Sequence, residues 1–445
     1  LKFMSVKEAV EEFFRTVSGE FAIVLMIKGD ENLYAMKRGS PLSLGILNDG
    51  NVVASDIYAF SDKTSSAIFF NEDEFAVVSK ERYKFYKFDG KGLVPIDKEI
   101  THVKWEQNTE EKKYDHYMIK EIYEQPEVVE RLQLSLQSDQ KETLQKLASL
   151  VKSSKRVVFV ASGTSYHAAL LGVYFLNKAG LEAHAIIASE FRSFYLVDKD
   201  TLIIAVTQSG ETMDVIEALH GMKDKGAKIA SLVNVPYSTI QRMSNVSLNI
   251  SAGQEICVAA TKSFTNQVVC LAYLAHMFGY KTDFDDINKS LRSVLEQEEK
   301  IKDIAKSLSS HHDIYIIGRR FLYPIAREIA LKMKEISYIH AEGMMGGELK
   351  HGTLALIEQG TPVIALMNGP EIVSNVMEVK ARGGRIIAIT NNGYVGESIN
   401  LNAKDEVSFA LASSIIGQLL TYYIAREKKL PIDKPRNLAK SVTVK

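Results

Sequence analysis

The sequence predicts an α/β protein in which two doubly wound parallel sheets follow one another, preceded by a smaller β-rich module. Three observations carry this. From Arg156 onward, short apolar runs of buried-strand character alternate with helical stretches, the rhythm of a parallel sheet covered on both faces. The rhythm then recurs at a nearly constant offset: 158–163 is answered by 314–318, 202–206 by 362–366, and 225–229 by 382–386, as two copies of one unit require. Before residue 100, by contrast, strand-like runs succeed each other with turn signals between them and hardly any helix.

Taken in order, Leu1-Lys2-Phe3 stands ahead of the first methionine, Met4, so the start is read as a point inside a longer natural chain. A helix is expected from Ser5 to about Thr16, with Val6, Ala9, Val10, Phe13 and Phe14 on one side. Strands are expected at 21–27, 32–36, 42–47, 51–54, 66–70, 74–79 and 84–88, separated by signals such as Lys28-Gly29-Asp30 and Asn48-Asp49-Gly50. A sheet with one covering helix needs a layer over its far side, and residues 1 to about 100 offer few candidates for it. Residues 106–114 read as a charged linker, and 116–152 as a helical hairpin interrupted only at Pro126. Beyond it, strands are expected at 157–161, 184–188, 202–206, 227–233 and 246–250, with Gly163 to His167 as a turn ahead of a helix over 168–179 and another helix over 213–223.

Composition excludes several function classes. Lys and Arg total 54 against 55 Asp and Glu, so no charge excess points to nucleic acid or an anionic membrane. Cys257 and Cys270 are the only thiols and lack CxxC spacing, which fits a reducing cytoplasm and argues against a structural zinc site. No apolar run is read as long enough to span a bilayer, and no signal-like start is seen, so a cytoplasmic location is expected.

Chemistry concentrates in a few stretches. Thr207-Gln208-Ser209-Gly210-Glu211-Thr212 closes a buried-strand run and opens a helix. There, free N–H groups and the positive dipole end can make an anion cup, with three hydroxyls as neutral donors suited to a phosphate monoester. The plainer alternative is a Ser/Thr-rich turn with an ordinary cap. In the second copy the corresponding stretch, Met367-Asn368-Gly369-Pro370-Glu371, has lost the hydroxyls, so that copy is expected to lend catalytic groups instead. On a helix from Pro324 to about Ile339, Ile325, Ile329, Met333 and Ile336 form an apolar stripe; Lys332 falls inside it, Lys334 opposite, and Glu335 stands beside Lys332. A lysine so placed needs either a salt bridge or an active site. Gly346-Gly347-Glu348-Leu349-Lys350-His351-Gly352 combines backbone freedom with an imidazole suited to proton transfer, although a single histidine is as readily structural. The stretch Glu255 to Lys262 is ambiguous. So is the basic tail from Pro435, usually a frayed end, with Leu438 and Val442 as its small apolar anchor.

Together with Ala161-Ser162-Gly163-Thr164-Ser165-Tyr166, Ala188-Ser189-Glu190-Phe191-Arg192, the run from Lys332 to Glu342 and the tail, these motifs resemble the glutamine:fructose-6-phosphate amidotransferases, or glucosamine-6-phosphate synthases. The resemblance extends to Arg38-Gly39-Ser40-Pro41-Leu42, Ala54-Ser55-Asp56 and the stretch from His116 to Pro126. It implies a truncated N-terminal-nucleophile glutaminase remnant (1–105), a linker with lead-in helices (106–150), two sugar-isomerase (SIS) domains (151–290 and 291–430) and a catalytic tail (431–445). It also implies roles. Ser165, Thr164, Thr207, Gln208, Ser209 and Thr212 would surround the phosphate of fructose 6-phosphate, with backbone near Val258 and Ala439 at the sugar. His351, from the neighbouring subunit of a homodimer, would open the ring; Lys440 would form a Schiff base with the ketone, its amine kept neutral by enclosure near other cations. Glu335 would move the proton between C1 and C2, with Lys332 beside it, and no metal or organic cofactor would be needed. Two departures stand out. Thr353 replaces the family's usual proline, and the first half of the glutaminase domain, with its cysteine nucleophile, has no counterpart in the sequence. Neither Cys257 nor Cys270 can substitute, so no glutamine hydrolysis is expected of this sequence, although the intact enzyme would make glucosamine 6-phosphate and glutamate from fructose 6-phosphate and glutamine; glutamine or ammonia is the expected nitrogen source. Alternatives are an ammonia-dependent phosphosugar isomerase or glucosamine-6-phosphate deaminase, and a non-catalytic SIS sugar-phosphate sensor.

Overall fold

The computed structural model describes residues 4–103 and 114–443; most of the charged stretch 106–114 lies outside them. The first helix, Val6–Thr16, starts at a capping box in which Ser5 and Glu8 each accept the other's backbone N–H. Its Val10 and Phe14 pack on one face of a five-stranded antiparallel sheet, against Tyr34, Met36, Phe75, Phe88 and Leu93. The alternate residues Ala35, Ala76, Val78 and Phe85 face the other way and meet Leu44, Ile68 and Phe70 of a second, four-stranded sheet.

The far-side layer that the sequence seemed to lack is therefore this second sheet, drawn from the same residues. Two of the module's strands escaped the sequence reading: Leu93–Ile96, which carries Pro95 and is tolerated because it is an edge strand, and the two-residue Thr101–His102. The outer face of the second sheet, with Ile57, Phe60, Ala67 and Val103, packs on Val235 and Tyr237 of the first α/β unit. Phe69 and Tyr237 stack there at 5.7 Å between ring centroids.

In place of the expected hairpin, three helices lead into the α/β units: Tyr117–Tyr123, Gln125–Gln137 and Lys141–Ser153. Pro126 opens the second of them, where its missing N–H costs nothing. The first unit's sheet runs Ala183–Ile187, Arg156–Ala161, Thr201–Val206, Lys228–Val233, Val246–Asn249, all parallel. The second repeats that order with His340–Met345, Asp313–Gly318, Pro362–Met367, Arg385–Thr390 and Glu397–Asn400. In each sheet the direction of winding reverses beside the first strand in sequence, which opens a crevice at the carboxyl ends of the strands. Ser162 to Ser165 and Thr207 to Thr212 both sit at that crevice in the first unit.

One continuous apolar core runs through both units. At its centre lies Glu406–Glu427, a helix long and apolar enough to cross a membrane, yet with its apolar stretch buried inside the protein. The sequence reading passed over it because Ser408, Ser413, Ser414, Gln418 and Thr421 break the apolar run; here all five are buried within the core. Gly417 lets the Leu322–Lys332 helix approach, since a Cβ there would lie 2.4 Å from Ile329 Cγ1.

Candidate active site

The cup begins where the buried strand Thr201–Val206 ends, at the buried Thr207. Gly210 turns the chain with φ +67°, and a Cβ at that position would fall 2.0 Å from Ser238 Oγ. The hydroxyls shape the loop as well as line it: Thr207 Oγ1 lies 2.9 Å from Thr212 Oγ1 and accepts from the Gly210 N–H, while Ser209 Oγ accepts from the Glu211 N–H. The following helix, Met213–Leu219, is shorter than expected, and its first N–H is not open: Met213 N donates to the Val442 carbonyl of the tail at 3.1 Å. The stretch from Gly163 to His167 is likewise no turn but the first turn of the helix Gly163–Lys178. There Ser165 Oγ accepts from Gln267 Nε2 at 2.9 Å.

Thr164 belongs to a second cluster, centred on Lys332. The helix Leu322–Lys332 loosens into a π-turn, Met333–Ser337, and stops at Tyr338 in the left-handed region, φ 55°. Lys332 is 1% exposed, Lys334 is exposed, and the apolar stripe of Ile325, Ile329, Met333 and Ile336 is buried as its spacing predicted. Lys332 Nζ reaches Glu335 Oε2 at 2.6 Å, Thr164 Oγ1 at 3.0 Å and Glu328 Oε1 at 3.5 Å. Glu328 also pairs with His167 Nδ1 at 2.7 Å. Burial alone would strip the proton from Lys332, but the facing Glu335 and Glu328 carboxylates outweigh it and hold the lysine above its usual range. Salt bridge and candidate site thus coincide.

The tail is held far from frayed. The Val258 N–H donates to the Asp433 carbonyl, the Arg436 guanidinium lies over the Tyr338 ring at 4.2 Å, and Ser40 Oγ meets the Thr443 carbonyl at 3.4 Å. The Leu438 and Val442 side chains are exposed and give the tail no apolar anchor. The Val258 N–H, being engaged by Asp433, is not free for a sugar. Lys440 Nζ reaches Glu255 Oε2 at 2.5 Å, so the group that encloses this amine is a carboxylate and not the cations expected.

A cavity of about 420 Å³ joins these parts, lined by Gln208, Ser209, Glu255, Ala439 and Lys440 on one side and by Lys37, Ser55, Asp56 and Tyr58 of the β-rich module on the other. The Lys332–Glu335 pair lies outside that lining, yet Glu255 contributes to the field that keeps Lys332 protonated. Of the expected groups, Ser165 and Thr164 likewise stand outside that lining, and those that share it are Gln208 and Ser209 of the cup, Ala439 and Lys440. His351 is not among them. It ends the short 3₁₀ segment Gly346–His351, is exposed, and makes no hydrogen bond or ion pair among the described residues.

Sequence reasoning missed Glu328 and left Glu255 undecided. Glu328 had a readable signal, since it stands four residues before Lys332 on the same helical face. Glu255 had a weaker one, an acid shortly before the hydroxyl-rich start of the apolar helix Lys262–His276, whose N-terminal N–H groups it accepts.

Comparison with known proteins covers nearly the whole chain. The SIS domain family matches residues 150–277 and 307–426, more than half of the chain. The glutamine–fructose-6-phosphate aminotransferase [isomerizing] of Clostridium acetobutylicum is 36% identical over 98% of this chain and 76% of its own length. That of Sulfolobus acidocaldarius is 37% identical over 99% and 76%. The chain belongs to this aminotransferase family. A solved C-terminal domain of the Francisella tularensis glucosamine-fructose-6-phosphate aminotransferase superposes with a TM-score of 0.68 at 35% identity, covering 74% of this chain and 100% of that domain. The family's two SIS domains are thus the two parallel-sheet units described above, and its enzymatic character applies to this chain.

Proposed function

We propose that the chain binds fructose 6-phosphate at the carboxyl end of its first parallel sheet and carries out the isomerisation and amination that yield glucosamine 6-phosphate. The observation that carries this is the shared cavity in which the hydroxyl-rich cup meets the tail lysine, Lys440. Ser165, Thr207, Gln208, Ser209 and Thr212 supply neutral donors at the ends of two neighbouring buried strands, a setting suited to a phosphate dianion, with Thr164 beside them and its own hydroxyl donating to Glu328. Lys440 condenses with the C2 ketone, ammonia exchanges into the imine, and Glu335 takes a proton from C1 and returns it to C2, with Lys332 fixing the carboxylate at 2.6 Å. The exposed His351 serves the site of a second copy, where it opens the sugar ring, which makes the working form a homodimer.

Neither cysteine of this sequence is placed to release ammonia from glutamine. Cys257 and Cys270 are both buried, and burial pushes both thiols up, away from the thiolate that glutamine hydrolysis by cysteine requires. Glu335→Gln tests the reading, because the amide keeps the shape and removes the base. Calorimetric affinity for fructose 6-phosphate is expected within about threefold of wild type, with glucosamine 6-phosphate formation from ammonium reduced about 10²- to 10⁴-fold. Full turnover in that variant would refute the proton-transfer role.

A further inference from the structure

We propose that Glu255 is the counter-ion of Lys440 throughout the reaction, pairing first with its ammonium and then with the iminium that forms when the lysine condenses with the sugar ketone. The inference rests on the Schiff-base reading of Lys440 given above and adds to it the group that neutralises the charge.

Geometry makes Glu255 a fixed charge. Its side chain is 0% exposed and meets Lys440 Nζ at 2.5 Å. The same Oε2 accepts from Ser263 Oγ at 2.7 Å, while Oε1 accepts from the Thr261 and Ser263 N–H groups at 2.9 and 3.0 Å and from Thr261 Oγ1 at 3.4 Å. Held at the head of a helix by four donors besides the lysine, the carboxylate cannot swing away as the lysine reacts. Burial works against its charge, but the Lys440 ammonium and the backbone donors prevail and keep it ionised down to about pH 2.

A second carboxyl stands close by. Glu121 accepts from the Ile256 N–H at 2.5 Å and the Cys257 N–H at 3.2 Å, while its Oε2 is buried without a partner. Burial, then the charge of Glu255, push it up to about 8, so near neutrality it is uncharged. The other charged groups nearby are spoken for. Lys262 pairs with Glu124 at 2.7 Å, Lys332 with Glu335 at 2.6 Å, and Asp433 accepts from the Tyr117 and Met118 N–H groups; the Cys257 thiol stays neutral. One fixed negative charge is therefore in contact with the lysine among the described residues. Two would bind the cation too strongly to release the amine, and none would leave the iminium bare in a buried setting.

The step balances. Lys440 passes a proton to Glu255 and the amine lone pair forms the N–C2 bond; the former carbonyl oxygen takes that proton back from Glu255 and a second one from the nitrogen through the same carboxylate, and leaves as water as the nitrogen lone pair forms the C=N bond. Ammonium and ketone become iminium and water, the positive charge is conserved, and Glu255 ends ionised as it began.

Reductive trapping tests this. Wild-type protein is incubated with fructose 6-phosphate and cyanoborohydride, and adduct formation at Lys440 is followed by intact mass and peptide mapping. Glu255→Gln should trap at least about tenfold more slowly, the equivalent of one pKa unit lost by the iminium. Glu255→Asp, which keeps the charge, should recover most of that loss, and calorimetric affinity for fructose 6-phosphate should stay within about threefold in both. Trapping of Glu255→Gln at the wild-type rate would overturn the proposal while leaving the Schiff base intact. A wild-type protein that binds the sugar phosphate but yields no adduct would overturn the lysine's role and the counter-ion with it. Should Glu255→Gln fail to fold, Glu121→Gln at pH 6 replaces one neutral group by another and should trap within about threefold of wild type; a tenfold loss there would contradict the single-charge arrangement.

Discussion

Lys332 shows how far a single side chain can be read from spacing. Its place within the stripe of Ile325, Ile329, Met333 and Ile336 required a buried lysine, and Glu335 was the partner within reach; both are found. Glu328 completes the cluster by facing Lys332 and His167 at once. Glu328→Ala would leave the buried His167 without its carboxylate and Lys332 with Glu335 alone, and a loss of about 1–3 kcal/mol in urea unfolding is expected. Glu121 makes a subtler prediction. Its folded-state pKa is raised to about 8, so between about pH 5 and 8 the folded chain binds a proton that the unfolded chain has lost, and stability falls as pH rises. Glu121→Gln should remove a fall of roughly 1 kcal/mol per pH unit over that window, read from urea midpoints at pH 5.5 and 8; an unchanged slope would mean that Glu121 is ionised throughout. These acids were hard to read in the sequence because they are long-range: Glu255 and Lys440 are 185 residues apart, and His167 and Glu328 are 161 apart.

At the scale of elements, the strands and the cup were legible because buried parallel strands are short apolar runs, and a run that closes on Thr207-Gln208-Ser209-Gly210 must turn there. Two features were not. The helix beginning at Gly163 reads as a turn because a glycine with φ +54° opens it, and the π-turn Met333–Ser337 has the same composition as an ordinary last helical turn. Gly210 carries the cup's shape. Gly210→Ala places a methyl against Ser238 in a left-handed backbone, and a cost of about 1–3 kcal/mol in stability is expected together with weakened phosphate affinity by calorimetry. If affinity is unchanged, the phosphate does not rest on this loop. The tail's hold was illegible for a different reason: Val442 works through its carbonyl, which no side-chain pattern announces.

In the whole molecule, duplication was readable from the repeated offsets, whereas the double sheet of the first hundred residues was not, since Pro95 and a two-residue strand leave almost no periodic signal. The duplication also frames the proposed dimer. His351 does not line the cavity that Lys440 lines in its own chain, so co-expressed His351→Ala and Lys440→Ala chains should restore about a quarter of wild-type turnover, one intact site in each mixed dimer. No recovery in purified mixed dimers would place both residues in the site of one subunit. The reaction itself can be watched in D₂O, with fructose 6-phosphate followed by proton NMR in the presence of wild-type protein. Deuterium should enter at C1, with glucose 6-phosphate appearing without ammonium and glucosamine 6-phosphate with it. Saturating binding of fructose 6-phosphate with neither exchange nor product would show instead a protein that recognises the sugar phosphate and leaves it unchanged.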